Sequence, residues 1–313
     1  MPPAHSLDAT GSRPVQALLD LYAASYLTNH APRTQAQQQR LFRRFSRDLG
    51  TLPLEHLTPL VLRAYTAHLS RTLQPGSVRH YLEVLSAVLT VAVEELGWLP
   101  THPMRHVPKP PPAPGRVRCL TPEERQRLLA ACQASRNPWL HLLVLLALTT
   151  GCRRGELFGL RWEAVDLERG LLRLAATKNG DRRPVPVPML ALEPLRAWGL
   201  GQPAAAPGSR PEPALGSTQG QAWVFPSQGQ TRDFPGERSW RQALRQAQVE
   251  DFHFHDLRHT FASYMAMSGA SLLVIAELLG HRSLTMTRRY SHLTLPHLAG
   301  LVEVMARQFF EQG

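Results

Sequence analysis

Four separated segments of the sequence concentrate basic or titratable side chains at predicted helix ends or turns. They are TGCRRGEL (150–157), the segment around Lys178, HFHDLRHT (253–260) and LGHRSLTMTRRY (279–290). Guanidinium groups suit two-pronged binding of a phosphodiester, a lysine can protonate a leaving alkoxide, a histidine can relay protons, and a phenol can attack phosphorus. Together the segments contain every role that phosphoryl transfer without a metal ion requires.

Each segment taken alone has a simpler structural interpretation. Arg153 and Glu156 lie one helical turn apart and could form a purely structural ion pair. Lys178 precedes Asn179-Gly180, a strong hairpin signal, so it could be an exposed lysine at a turn. Tyr290 follows an amphipathic helical pattern and could be a residue at the edge of a core. The chemical interpretation therefore depends on the four segments acting together.

The HDLRH motif also admits a metal site. His255 and His259 have the i, i+4 spacing of helical zinc ligands, and His255 shares a helix face with both Arg258 and His259. Against a metal, Arg258 lies between the two rings, and Asp256 replaces the glutamate of a zinc-protease motif. The sequence has no acidic cluster suited to a two-metal nuclease and no GxxxxGK[ST] nucleotide loop. We therefore expect neither a metal nor another cofactor.

The charge composition favours a polyanionic partner. The chain has 313 residues, 43% of them hydrophobic, and a formal net charge of +11; all but two of its 35 basic residues, Lys109 and Lys178, are arginine. Nucleic acid is the commonest polyanionic partner for an intracellular chain. Cys119, Cys132 and Cys152 form no CxxC pair, and the stretch MPPAHSLDATG has no apolar run of the kind expected in a signal peptide. We therefore expect a reduced, cytoplasmic protein that is not inserted in a membrane.

The patterning predicts two domains joined by a proline-rich linker. Residues 1–13 are expected to be disordered, and residues 14–107 to form four helices with basic edges. The run PKPPPAPG within 108–117 cannot continue a helix and predicts an extended spacer. Residues 118–313 then form the larger domain.

The larger domain is predicted to be mainly helical with a small antiparallel sheet, an α+β arrangement. Residues 170–188 change to a strand-like pattern around Asn179-Gly180, which predicts a hairpin with Lys178 near its tip. Residues 198–221 are rich in Ala, Pro, Gly and Ser and predict a mobile insertion. Helices are expected to resume near residue 238.

The end of the chain carries a helix stop followed by a second helix start. Gly280 is predicted to end a buried apolar helix, and Ser283 to cap a short helix that carries Tyr290. The run Leu293–Phe310 is apolar enough to dock on another surface, which could belong to its own domain or to a second subunit.

With these motifs in this order, the sequence resembles the tyrosine recombinases, the integrase family that includes the Xer proteins and the phage integrases. The resemblance covers nearly the whole chain and rests on LGWLPTHPMRHV, TGCRRGELFGLRW, TKNGDRRPVPVP and HFHDLRHTFASYMAMSGASLLVIAELLGHRSLTMTRRYSHL. It implies an N-terminal helical core-binding (SAM-like) domain, which would grip DNA from one side, followed by a tyrosine recombinase catalytic domain.

The resemblance further implies how a phosphodiester would be held. Arg153 and Arg258 correspond to the arginines that bind the scissile phosphate, and His281 to a residue that hydrogen-bonds a phosphate oxygen. Lys178 corresponds to the general acid that protonates the departing 5′ oxygen. These roles come from the resemblance and not from the spacing of the residues.

The resemblance likewise implies the nucleophile and its base. Tyr290 would attack phosphorus and form a 3′-phosphotyrosyl link, and His255 would accept the phenol proton. Because the link stores the energy of the cleaved bond, a 5′ hydroxyl of another strand could reverse the attack without ATP, by way of a Holliday junction. Cleavage and joining would then be one reaction carried out twice.

The implied partners are DNA and further subunits. Family members act on double-stranded DNA with a specific recombination site, as a tetramer on two duplexes, and the resemblance favours docking of the C-terminal helix on a neighbouring subunit. Neither a membrane nor a small-molecule substrate is expected. A type IB topoisomerase and a DNA-binding regulator with a disused site remain as alternatives. Within the family, both chromosome-dimer resolution, as in chromosome partition, and integration of a mobile element stay open.

Overall fold

The chain divides into two structural units, Met1–Pro114 and Gly115–Gly313. In the computed structural model, the described residues are 12–30, 32–111, 117–174, 183–200, 223–225 and 236–310. The division falls within the proline-rich segment 108–117. Most of this segment's central residues, and most of residues 1–13, lie outside the described residues.

The first unit contains four α-helices, as the sequence predicts. Thr58 caps the third helix through its side chain, which accepts a hydrogen bond from the backbone of Val61. The fourth begins at Pro75, because proline is well suited to the first helical turn. The helices are α1 (Val15–Ser25), α2 (Pro32–Leu49), α3 (Pro59–Ser70) and α4 (Pro75–Glu94).

The core of this unit is built from one apolar face of each helix. Leu18, Phe45, Leu62 and Leu82 are fully buried within one hydrophobic cluster. The predicted disorder of residues 1–13 is wrong for Arg13, whose guanidinium stacks on Trp98 and whose carbonyl accepts a hydrogen bond from Leu54. Residues 1–11 lie outside the described residues.

The second unit contains eight described α-helices around two apolar clusters. The first starts with a capping box in which Thr121 and Glu124 bond to each other's backbone N–H groups. The helices are α5 (Pro122–Gln133), α6 (Leu140–Thr150), α7 (Arg154–Phe158), α8 (Met189–Leu200), α9 (Glu237–Gln246), α10 (Asp256–Met267), α11 (Leu272–Leu279) and α12 (Leu295–Phe310).

Helix α6 is the central element of this unit. It is apolar on all sides, and all but two of its eleven residues are buried, so it must be surrounded by other helices. Helices α5, α8 and α10 pack around it, and α10 packs in turn against α11. Because α6 and α11 both end near α10, their C-terminal carbonyl groups come close to the HDLRH motif.

A three-stranded antiparallel sheet lies beside these helices in the order β1 (Val165–Asp166), β2 (Leu171–Leu174) and β3 (Arg183–Pro186). Leu174 pairs with Arg183, so β2 and β3 form the predicted hairpin. The short strand β1 was not predicted. The hairpin tip with Lys178 lies outside the described residues.

The predicted insertion 198–221 starts too early. Residues 198–200 form the last turn of α8, where the indole of Trp198 donates a hydrogen bond to the carbonyl of Val224. The remaining part, 201–221, lies outside the described residues. Val224 and Phe225, which follow it, are buried in the main core.

After α11 the backbone turns sharply into two short 3₁₀ helices. Gly280 ends α11 with φ of 63°, as predicted for a glycine stop, and the Ser283 side chain caps Leu284–Met286. Tyr290 lies in a second short helix, Arg288–Leu293, whereas the sequence predicts one helix. Across the described residues no helix has the length and hydrophobicity needed to cross a bilayer.

Gly151 gives a direct test of the packing at the end of α6. Its φ is +63°, and an added Cβ would lie 2.4 Å from Phe261 and 2.7 Å from Leu279. Strain and overpacking together predict that Gly151→Ala lowers the free energy of unfolding by about 2–4 kcal/mol.

Gly170→Ala is the matched control, because Gly170 has φ of +62° but its nearest neighbours would lie 3.2 Å from the new Cβ. We expect this control to lose only about 1–2 kcal/mol, mainly from backbone strain. Chemical denaturation of both variants measures the difference, and equal losses would show that crowding at Gly151 is unimportant.

Candidate active site

Arg258 is a buried cation held by the ends of two helices. It lies in the first turn of α10, and its guanidinium donates to the carbonyl of Gly151 at 2.8 Å and to that of Leu279 at 2.6 Å. These carbonyls lie at the C-terminal ends of α6 and α11, where the helix dipoles are negative. Among the described residues, no carboxylate is within ion-pair distance of Arg258.

Burial and the nearby charge of Arg153 lower the pKa of Arg258 to about 9, which leaves it protonated at neutral pH. The site therefore contains a positive charge that two carbonyl dipoles orient and that no described carboxylate contacts directly. Such a group is suited to binding an anion.

Arg153 reaches the same place from the start of α7. Its guanidinium donates to the Glu156 carboxylate at 2.9 Å and to the carbonyl of Gly280 at 3.2 Å, and its backbone N–H donates to Glu156 at 2.7 Å. The predicted pairing of Arg153 with Glu156 is thus present. Yet 36% of the Arg153 side chain remains exposed, against 9% for Glu156. Arg153 can therefore contact a ligand while Glu156 fixes its position.

Arg183 is a third arginine in this cluster. It donates to both carboxylate oxygens of Glu156, at 3.2 and 3.0 Å, and only 15% of its side chain is exposed. Burial by itself raises the pKa of Glu156, but the Arg153 backbone and the charge of Arg183 outweigh burial and lower it. Two guanidinium groups thus contact one ionised carboxylate, and Arg258 adds a third positive charge nearby, so the described part of the cluster has an excess of positive charge.

His281 follows the glycine that ends α11. Its Nδ1 lies 2.8 Å from the hydroxyl of Thr287, which is buried. Burial and the charges of Arg258 and Arg153 lower the pKa of His281 to about 4, so the ring is neutral at pH 7. When the Thr287 hydroxyl donates to Nδ1, the ring proton stays on Nε2, which then becomes a hydrogen-bond donor.

Tyr290 is packed into its own domain. The side chain is 1% exposed, within a cluster that includes Phe261, Ile275 and Leu279. Its hydroxyl lies 2.5 Å from Nδ1 of His259. Burial raises the pKa of Tyr290, although the charges of Arg289 and Arg258 oppose the change, so the phenol is protonated at neutral pH.

His259 and His255 have different environments. His259 is buried, and burial with the neighbouring His255 lowers its pKa to about 4, so its neutral ring can accept the phenol proton in a hydrogen bond. The exposed His255 lies immediately before α10, with its ring perpendicular to that of His259 at a centroid distance of 5.1 Å. Burial of part of the ring and the charge of Arg258 lower the pKa of His255.

The structure thus brings together most of the residues singled out from the sequence. Arg153, Arg258 and His281 meet around the C-terminal end of α11, whereas the phenol of Tyr290 contacts His259 and not His255. Lys178 lies outside the described residues.

Sequence reasoning did not assign a site role to Arg183 or Thr287. Arg183 offered one signal, an arginine at the first strand position after a predicted turn. Thr287 offered none, because a buried threonine is indistinguishable from a surface one in a single sequence.

Two further features bear on ligands. A cavity of about 500 Å³ opens beside Arg153, lined by Arg161, Arg173 and the apolar side chain of Leu174 among others. In the part of the chain that the structure describes, no group of three or more His, Cys, Asp or Glu side chains could hold a metal ion.

The environment of His259 predicts a loss of stability in acid. The pKa of His259 is about 4 in the folded protein against 6.5 for an ordinary histidine, so the unfolded chain binds a proton first as pH falls. Stability should therefore decline between pH 6.5 and pH 4, by at most about 3 kcal/mol from this residue. His259→Asn keeps an acceptor near Nδ1 but cannot titrate, so the slope of stability against pH should become shallower.

The exposed His292 provides the matched control, and His292→Asn should leave the slope unchanged. His281 contributes in the same direction, because its pKa is also about 4, so His259→Asn should reduce the slope without abolishing it. Thermal unfolding from pH 4 to pH 7.5 measures the effect. An unaltered slope in His259→Asn would contradict the buried neutral ring.

Comparison with known proteins relates this site to one family. The phage integrase family model matches residues 118–297. Among curated relatives, the chain is 32% identical over 234 residues to a shufflon-specific DNA recombinase of Escherichia coli. The alignment covers 74% of this chain and 55% of that recombinase. The chain is 32% identical over 229 residues to the integrase of Salmonella phage P22, covering 70% of this chain and 54% of that integrase. The chain therefore spans about half the length of these two relatives.

The tyrosine recombinase XerC of Xanthomonas campestris pv. campestris is 30% identical to this chain over 258 residues. This alignment covers more of both proteins, 80% of this chain and 74% of XerC. Among solved structures, the Tn1549 transposon integrase in complex with circular intermediate DNA has a TM-score of 0.73 at 18% identity, covering 89% of this chain and 95% of that one.

A lambda integrase dimer bound to a COC′ core site has a TM-score of 0.68 at 21% identity, covering 88% of this chain and 97% of that one. At these identities the structural likeness concerns the fold alone. The family model and the XerC alignment each cover more than half of the chain, and by them this chain belongs to the phage integrase family, the tyrosine recombinases.

Proposed function

We propose that this protein is a site-specific DNA recombinase, which cleaves and rejoins DNA strands through a 3′-phosphotyrosyl intermediate. The observation that carries the proposal is the convergence of Arg153, Arg258 and His281 around the end of α11, a short distance along the chain from Tyr290. The names of the relatives, which include recombinases and integrases, support the same class of reaction.

The two arginines would bind the scissile phosphate from different directions. Arg258 is fixed by two carbonyl groups and Arg153 by Glu156, so neither needs to reorganise when a phosphate arrives. Preorganised donors of this kind stabilise the charge that develops on the phosphorane-like transition state. His281 would add a third donor from Nε2, with Thr287 keeping the proton on that nitrogen.

The chemical step would exchange one phosphate ester for another. The Tyr290 oxygen forms a bond to phosphorus, the bond from phosphorus to the 5′ oxygen breaks, and Lys178 gives that oxygen a proton. The phenol proton passes to His255. In the second step a 5′ hydroxyl from another strand attacks the phosphotyrosine and releases the phenol, so that no ATP or metal is consumed.

Tyr290 must leave its buried position before it can attack. In the structure its hydroxyl is held by His259, and the ring is enclosed by α10 and α11. We assign the contact with His259 to the resting protein and the role of base to His255, whose ring is exposed. The short 3₁₀ helix Arg288–Leu293 is the element that would move. Its described backbone hydrogen bonds are short-range, so the contact with His259 and the burial of the Tyr290 ring are what mainly hold it in place.

DNA would be bound mainly through phosphate contacts, and strand exchange would require an assembly. Residues 1–107 contain 10 basic and 7 acidic side chains, and residues 108–313 contain 25 and 17, so both parts are positively charged. Helix α12 exposes the apolar residues Val302, Val304, Met305, Phe309 and Phe310. This exposed face supports docking on a neighbouring subunit in a homo- or hetero-tetramer on two DNA duplexes.

The nucleophile is tested with a pool of nicked duplexes of random sequence, in which cleavage beside the nick releases a short strand and traps the protein on DNA. We expect the wild type to form a covalent adduct that survives denaturant. Tyr290→Phe should form none, because it lacks the attacking oxygen. Sequencing of the trapped DNA would also identify the recombination site.

Tyr264→Phe is the matched control, since Tyr264 lies on α10 and its hydroxyl donates to the carbonyl of Leu120, away from the arginine cluster. Its adduct should equal that of the wild type. An adduct with Tyr290→Phe would disprove the assignment of the nucleophile. Resolution of a synthetic Holliday junction built on the selected site would separate recombination from relaxation by a type IB topoisomerase.

Arg258→Lys tests whether the geometry of the guanidinium matters in addition to its charge. An ammonium group cannot contact both carbonyls and also make a two-pronged contact with a phosphate. We expect the rate of adduct formation to fall by about 100-fold or more. Arg241→Lys, at an exposed position on α9, should leave the rate unchanged. A near-normal rate in Arg258→Lys would contradict the proposed phosphate site.

A further inference from the structure

Arg183 lies at the centre of the arginine cluster, although it is not one of the six residues that the resemblance assigns. Its guanidinium forms a two-pronged contact with Glu156, whereas Arg153 contacts the same carboxylate through one side-chain nitrogen. Arg183 is also the more buried of the two. The two-pronged contact therefore fixes Glu156, and Glu156 in turn fixes Arg153.

Arg183 also packs against the backbone that follows α11. A Cβ added at Gly280 would lie 2.3 Å from Nη1 of Arg183 and 2.9 Å from its Cζ. The guanidinium therefore lies directly on the Cα of Gly280. The carbonyl of Gly280 accepts a hydrogen bond from Arg153, and the next residue is His281. Arg183 thus contacts both Glu156, which holds Arg153, and the turn that carries His281.

The position of Arg183 is not the one that maximises stability. Its Nε–H is buried and has no hydrogen-bond partner among the described residues. A buried donor left without a partner lowers the stability of the folded state. The positive charge also adds to the repulsion around Arg258, where burial and Arg153 have larger effects on the pKa. A side chain retained in such a place is explained better by positioning than by stabilisation.

Arg183 also connects the hairpin to the arginine cluster. Arg183 is the first residue of β3 and pairs with Leu174, the last residue of β2. The base of the hairpin is therefore attached to the arginine cluster by the same side chain that contacts Glu156 and Gly280.

From these contacts we infer that Arg183 is a positioning residue for strand transfer, which holds Arg153 through Glu156 and the His281 turn through Gly280. The inference rests on the proposed function. Arg183 itself touches no reacting atom; its effect on the reaction passes through the two residues that bind the phosphate.

The test uses single-turnover cleavage of the selected nicked duplex by the full chain. We expect Arg183→Gln to lower the first-order rate by about 10- to 100-fold, because small displacements of positioned groups are costly. The DNA concentration at half-saturation should change by less than about threefold, since the phosphate-binding arginines remain. Arg183→Lys, which keeps the charge and one contact, should recover part of the rate.

Arg241→Gln is the matched control, because Arg241 lies on α9 with 70% of its side chain exposed and pairs with Glu237. It should cleave at the wild-type rate. Thermal unfolding of each variant ensures that rates are compared for folded protein, and Arg183→Lys keeps the test valid if Arg183→Gln does not fold.

A double-mutant cycle with Glu156→Gln identifies the route of the effect. If Arg183 acts through Glu156, then Arg183→Gln should lower the cleavage rate much less in the Glu156→Gln background than in the wild type. An equal cost in both backgrounds, or a wild-type rate in Arg183→Gln, would overturn the inference.

Arg183 could instead affect the reaction through the hairpin, by disturbing protonation of the leaving 5′ oxygen. A substrate with sulfur in place of the bridging 5′ oxygen tests this second route. A thiolate leaves without a proton from a general acid, so the defect of Arg183→Gln should persist with this substrate. Full recovery would assign the effect to the leaving group and overturn the route through Arg153.

The controls distinguish this inference from the proposed function. A wild-type protein that forms no adduct would overturn both, whereas normal wild-type adduct with an unimpaired Arg183→Gln would overturn only the role of Arg183.

Discussion

The structure of the site depends on one buried cation, the guanidinium of Arg258. A charge placed between helices is stable only if hydrogen bonds replace its hydration, and here the carbonyls at the ends of α6 and α11 provide them. Both helices end at a glycine with φ of 63°, which turns the backbone away at once. Two helix ends therefore have to meet beside α10, and this requirement fixes the packing of the three helices.

The same arrangement leaves the charge of Arg258 available to a ligand. Carbonyl groups orient the guanidinium but carry no net charge, whereas Glu156, the one carboxylate that the described residues contribute to the cluster, is occupied by Arg153 and Arg183. A single carboxylate cannot balance the charges of several arginines. Glu156 is almost buried among its partners, whereas Arg153 remains partly exposed to the cavity beside it. A preorganised anion site follows from this division of partners.

Tyr290 shows how the fold holds the proposed nucleophile in a buried position. Its burial places the phenol in a nonpolar cluster, where the hydroxyl needs a partner, and the neutral ring of His259 meets that need. Because His259 is adjacent to Arg258 in sequence, the residue that holds the tyrosine and the residue proposed to bind the phosphate belong to the same helical turn. Movement of the tyrosine is therefore linked in space to the site where a phosphate would bind.

The sequence by itself determined the local features: the four N-terminal helices, the glycine stop at Gly280, the hairpin and the order of the basic motifs. These depend on interactions among residues a few positions apart, and so a pattern can predict them. The end of α8 at Leu200 and the contacts of Arg13 departed from the predictions, because packing extends or anchors segments whose composition alone favours a loop or disorder.

Only the tertiary structure decided which partners the functional side chains have. Arg258 reaches a carbonyl 107 residues away, Arg183 reaches Glu156 across 27 residues, and Tyr290 meets His259 rather than His255. The two histidines lie close together in sequence, and the choice between them follows from the rotation of α10 and the path of the chain after Gly280. Such contacts depend on how helices pack in three dimensions, whereas residue type and spacing specify only which groups are available.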